Sequence, residues 1–164
     1  MISALTLIPT IGIFGTLSYG YNYGIVWQEP LLLISGWWLA GMGITFGYHR
    51  LFAHRSFNAH PIVQFISVIL GSAALQNSVL KWSSDHRIHH KKLDTYEDPY
   101  SIKKGFWYAH IGWIIERKNI KIKGVNDLCN NKILAWQHKH YFKIAIFISF
   151  ILPMIIGAFY NRPL

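Results

Sequence analysis

Nine histidines stand in a chain of 164 residues, and five of them fall in two ordered clusters. One cluster is HRLFAH, with His49 and His54; the other is DHRIHH, with His86, His89 and His90. Positions i, i+3 and i+4 of an α-helix share a face. His86, His89 and His90 can therefore converge on one point, as metal ligands must. His49 and His54 are five apart, about 140° around an ideal helix, so they share a site only if the helix ends between them, near Phe52. Imidazole suits iron, zinc, copper or nickel, whereas carboxylates and waters suit magnesium or calcium. The single cysteine, Cys129, leaves no thiolate pair for a structural zinc site. The competing reading is a set of surface histidines beside basic residues. It fits a lone histidine better than two ordered clusters. Asp85 adjoins His86 and can either orient a ligand by accepting its second N–H or pair with Arg87 or Lys81. The sequence offers no Ser-His-Asp set, glycine-rich phosphate loop or carboxylate pair as a rival centre.

The elements that must position these residues are read from hydropathy and charge. Hydrophobic residues make up 52% of the chain and charged residues only 14%, too few to cover a water-facing surface. The formal charge is +9, yet residues 1–48 hold no Lys or Arg, and all but Arg162 of the basic residues lie between Arg50 and Lys143. A basic middle between apolar ends matches a cytosolic face next to anionic lipid better than it matches nucleic acid, which is not expected as a partner. The composition excludes a disordered chain and a disulfide scaffold, and it argues against an ordinary soluble enzyme. A secretory signal is not expected, because no basic residue precedes the long first apolar run.

A span needs about 20 mostly apolar residues. The expected fold is an all-α membrane protein of one domain over 1–164. Membrane helices are expected at 3–20, 31–48 and 141–160, the first two as a helical hairpin, with a cytosolic cap over 49–140. The apolar stretch Pro61–Leu80 is more polar than the others and lies between the histidine clusters. If the clusters share a site, this stretch stays on the cytosolic side or in the interface. Helices are expected near Val79–Lys92 and Ile102–Lys118, and a loop over Lys118–Lys132. His60 is read at a helix start, and His110, His138 and His140 are not read as ligands.

The succession GYHRLFAHRSF, QNSVLKWSSDHRIHH, DPY and GFWYAHIGW closely resembles the membrane acyl-CoA desaturases of the stearoyl-CoA (delta-9) type. The resemblance runs from about Gly36 to Pro153. It implies two irons on the cytosolic side of a four-helix membrane bundle, with His49, His54, His86, His89 and His90 among their ligands. It also implies that Asn77 and Trp82 line the acyl tunnel and hold the thioester end. Asp85, Arg117 and Lys118 then lie near the coenzyme A head group. Cations at Arg117 and Lys118 make physical sense beside phosphates, although a lipid-facing basic patch reads the same way. Trp82 reads equally as an interfacial anchor and Asn77 as an N-cap.

The implied reaction is oxidative: O2 and a fatty acyl-CoA react at di-iron to leave a cis double bond. Electrons come from a carrier such as cytochrome b5 or a ferredoxin, and membrane lipid is the surrounding partner. The family also carries a third histidine box and a fourth membrane helix, whereas this chain stops at Leu164. The expectation is therefore an incomplete chain: a fragment, a non-catalytic remnant, or one subunit of a split enzyme completed by a C-terminal partner chain. A membrane di-iron hydroxylase is the other enzyme class left open.

Overall fold

The computed structural model describes residues 2–116 and 121–162, with side chains from Thr6 onward. All regular structure among the described residues is helical. Five helices carry the fold. They are α1 (Ile2–Tyr23), α2 (Gln28–Ala53), α3 (Pro61–Ala73), α4 (Val79–Lys91) and α5 (Lys132–Phe159).

Two of these helices are long and apolar enough to cross a membrane. Helices α2 and α5 have 26 and 28 residues, about 39 and 42 Å at 1.5 Å per residue, against a hydrocarbon core of about 30 Å. Their outer faces show Leu33, Trp37, Phe147 and Met154 to the surroundings, as α1 shows Ile11, Phe14 and Leu17. Apolar surface this extensive marks contact with lipid or protein rather than water. Helix α1 does not pack along α2. The two are tied at their turn, where Arg162 Nε donates to Tyr19 Oη and Glu29 Oε1, both at 2.9 Å, and its Nη2 donates to Gly24 O at 2.7 Å.

The stretch after His60 does not form one long helix. Pro61 starts α3 with its fixed φ, and the His60 ring Nδ1 accepts from Ile62 N at 3.3 Å. Helix α3 then stops after 13 residues, about 20 Å and too short to cross a bilayer. Leu75 and Asn77 follow with φ of 57° and 85°, a left-handed turn that asparagine accommodates well. Ser78 then caps α4, accepting from Lys81 N at 3.4 Å. Helix α3 therefore leaves both histidine clusters at one end of the bundle.

Three further expectations shift at their edges. The final helix begins at Lys132 rather than near Tyr141, because Asn131 Oδ1 caps it by accepting from Ile133 N at 2.9 Å. Ile102–Lys118 is not one helix: a 3-10 turn at Ile102–Lys104 ends at Gly105 (φ 99°), helix resumes at Phe106 and runs to Ile115, and Arg117 and Lys118 lie outside the described residues. The expected loop holds one helical turn, Asn126–Cys129, with Cys129 exposed at its end.

The core lies where α2, α3, α4 and the first half of α5 meet. Tyr48, Val68, Val79 and Leu134 are fully buried there. Gln137 on α5 joins three helices from inside: its Nε2 donates to Tyr48 Oη and Ser72 Oγ, both at 2.8 Å, and its Oε1 accepts from Val79 N at 3.1 Å. A buried amide with its partners supplied fixes register. Helices α2 and α3 approach so closely that a methyl on Gly43 would collide with the Gly71 backbone, and one on Gly47 would sit 2.8 Å from Ser67 Cβ.

Candidate metal centre

The last stretch of α2, Gly43–Ala53, is wound as a π-helix. In a π-helix the amide of residue i+5 closes on the carbonyl of residue i, as His54 N does on His49 O at 2.9 Å. Side chains five apart then return to nearly one face. The helix ends between the two histidines, at Ala53, one residue past the expected Phe52, and its last stretch is also widened.

Four imidazoles meet at the junction of α2 and α4. His54 Nε2 lies 3.1 Å from His49 Nε2 and 3.0 Å from His86 Nε2, and His90 Nε2 lies 3.1 Å from His86 Nε2. One nitrogen from each of the four falls within 4.8 Å of the others. Two imidazole nitrogens bound to one ion at about 2.0–2.1 Å stand about 3.0 Å apart at right angles and about 3.4 Å apart in a tetrahedron. The spacing and the all-nitrogen donor set therefore fit one transition-metal ion.

His89 stands outside this group. Its Nδ1 faces Asp98 Oδ1 at 2.8 Å, and Asp98 also accepts from Tyr100 N and Asp94 N, both at 2.9 Å. Burial works against the Asp98 charge, but these donors hold its carboxyl below the usual range. The carboxylate fixes the His89 ring through Nδ1, leaving Nε2 as the nitrogen that could bind a metal.

The centre is neutral at its heart. Burial, then the neighbouring His49, His90 and His54 rings, push His86 down to about 3. Burial, then His90 and Arg87, hold His54 below the usual imidazole range. Neutral imidazole is the ligating form, so both are ready for a metal at neutral pH.

The other residues singled out in the sequence are placed as follows. Trp82 stacks on His86, with ring centroids 4.8 Å apart and an interplanar angle of 22°, and its Nε1 donates to Gln76 Oε1 at 3.1 Å. Asn77 makes the turn into α4: its N donates to Tyr141 Oη, and its Oδ1 accepts from Ser78 N, both at 2.9 Å. Asp85 is buried and pairs with Lys81. Arg117 and Lys118 lie outside the described residues. His110 binds Phe106 O through Nδ1 at 2.8 Å, and His138 Nδ1 meets Ser78 Oγ at 2.6 Å, both away from the four-histidine group. Sequence reasoning missed Gln137 and Asp98. The DPY word holding Asp98 was the one available signal.

No family model matches the chain. Among curated proteins it is 36% identical over 166 residues to the Delta(9)-fatty-acid desaturase fat-6 of Caenorhabditis elegans, covering 98% of this chain and 48% of that protein. It is 38% identical over 151 residues to a Probable acyl-CoA desaturase of Schizosaccharomyces pombe, covering 90% and 31%. It is 35% identical over 159 residues to Stearoyl-CoA desaturase 4 of Mus musculus, covering 93% and 41%. The chain spans about half, or less, of the length of these relatives. Over nearly all of its own length it is thus related in sequence to the acyl-CoA desaturases of the stearoyl-CoA (delta-9) type, and corresponds to a part of one.

Proposed function

We propose that the chain is part of a fatty acyl desaturase that introduces a cis double bond into a fatty acyl-CoA with O2. The observation that carries this reading is the convergence of His49, His54, His86 and His90 on one point, in a chain whose relatives are named acyl-CoA desaturases. Iron is the metal we assign to the site, and two irons to the whole protein. His89, held by Asp98, is a ligand for the second. When bound, iron supplies the oxidising power that an unactivated methylene demands and that side-chain acids and bases lack.

The chain's own residues bind, orient and exclude water. Trp82, stacked on His86 and edge-on to Tyr48, is proposed to wall the acyl tunnel beside the centre. Asn77 is proposed at the thioester end. Arg117 and Lys118 are assigned to the phosphates of coenzyme A, with Asp85 nearby, because cations favour phosphate. The membrane helices are taken as 3–20, 31–48 and 141–160, with 49–140 as the cytosolic cap. The net positive charge of that middle segment supports this side. Electrons are proposed to come from cytochrome b5 or a ferredoxin-type carrier.

The test is co-expression of the chain with a polypeptide supplying the remainder of a desaturase, followed by product analysis with acyl-CoA, O2 and a reductant. An alkene is the expected product. An alcohol would make the protein a hydroxylase, and no oxidised product would make it a remnant. The remnant reading has one observation in its favour: only four of the five cluster histidines share a point. Metal analysis of the chain purified alone is expected to give no more than one iron. Two irons per chain would overturn the reading that the rest of a desaturase is needed to complete the centre.

A further inference from the structure

Arg87 sits between His86 and His89 on α4, but its side chain leaves the histidine face and reaches the end of α2. All five of its N–H donors are engaged. Nε donates to Ala53 O at 2.9 Å, and Nη2 to Phe52 O at 2.9 Å. Nη1 donates to Gly124 O at 2.8 Å. The remaining two donors form a fork on Asp127, Nη1 to Oδ1 at 2.8 Å and Nη2 to Oδ2 at 3.1 Å. The Phe52 and Ala53 carbonyls close α2, where intrahelical partners run out. One guanidinium on the second histidine segment therefore terminates the helix that carries the first.

Asp127 holds a second arginine in the same way. Arg55, the residue after His54, donates from Nε to Asp127 Oδ2 at 2.7 Å, and its Nη2 pairs with the same oxygen. A single carboxylate thus grips the neighbour of a histidine in each cluster. The segment that brings it there is itself fastened to α4. Ser84 Oγ donates to Lys123 O and accepts from Lys123 N, both at 2.9 Å. Gly124 turns with φ of 72°, a conformation that favours glycine. Val125 and Leu128, on either side of Asp127, are buried in the core.

We infer that Asp127 is a positioning residue for the four-histidine centre: by gripping Arg55 and Arg87 together, it sets the separation of the two histidine segments before a metal arrives. Without it, two guanidiniums would face each other at the rim with no shared counter-charge. The inference rests on the reading of these histidines as a metal centre.

Cobalt(II) titration of the metal-free full chain in detergent micelles, followed by d–d absorption, tests both. The wild-type chain is expected to take up one ion. D127N is expected to bind about 10–100-fold more weakly, the range for residues that orient metal ligands, with an altered d–d band and unchanged helical content in the metal-free state. R87K should move the same way, since an ammonium lacks the planar fork. D127E, which keeps both oxygens, should recover most of the affinity. If the wild type takes up no cobalt, the metal-centre reading falls and the inference with it. If the wild type binds and D127N binds equally well, only the inference falls. Loss of helical content in metal-free D127N also overturns it, because the carboxylate would then be holding the fold rather than setting the centre.

Discussion

The two histidine segments reach the same point by different backbones. On α4, His86 and His90 are four apart on a regular α-helix that Ser78 caps locally, and their nitrogens meet at 3.1 Å with no further device. On α2, His49 and His54 are five apart, and only a π-wound stretch brings them together. π-Winding is rare in isolation and needs tertiary support. Here the support comes from Gly43 and Gly47 against α3, and from Tyr48 bound to Gln137 on α5. One half of the centre is thus organised by its own spacing, the other by its neighbours.

The largest effect is expected on α4, where one histidine lies at the shared point and another beside it. His86 lies within 3.0–3.1 Å of two other ring nitrogens, so His86→Ala should abolish cobalt(II) uptake. His89→Ala should leave uptake at the wild-type level, since Asp98 holds that ring apart. Equal losses would refute the division into four and one. A smaller effect is expected from the packing that supports the π-helix. Gly43→Ala drives a methyl into the Gly71 backbone and should cost about 1–3 kcal/mol in thermal or denaturant unfolding. Ser83→Ala on α4 removes a buried hydroxyl that has no hydrogen-bond partner among the described residues and should not destabilise the chain, since no hydrogen bond is lost. If the two substitutions cost the same, neighbour support is not what distinguishes the segments. The smallest effect belongs to Asp98→Asn. It should alter the imidazole NMR signals of His89 while leaving cobalt(II) affinity at the four-histidine group unchanged.

Much of this centre was readable from the sequence where the signal was local. The i, i+4 spacing of His86 and His90, the helix from Val79, and the long apolar runs of α2 and α5 all depend on residues within a few turns of each other. The π-winding was not readable, because a spacing of five is met by a helix end alone, and the widening that accompanies the end at Ala53 depends on packing against α3. The start of α5 is hidden from hydropathy because its first turns, with Gln137, His138, Lys139 and His140, are polar. Their partners, Tyr48, Ser72 and Ser78, lie 60 or more residues earlier. Asp127 carries no local signal for the same reason: it sits in a Lys- and Asn-rich stretch, and Arg87 lies 40 positions away. The turn at Leu75–Asn77 interrupts what hydropathy alone shows as one run, and only the polar trio Gln76, Asn77 and Ser78 hints at it.

Cys129 turns the strap around Asp127 into something that can be watched. It is the only thiol in the chain, it is exposed, and it lies two residues beyond the carboxylate that joins both arginines. A nitroxide or fluorophore attached there would report from a single address, without engineering away any other cysteine. Its mobility, recorded as a metal is added, would register how firmly the strap is seated while the histidines themselves stay untouched.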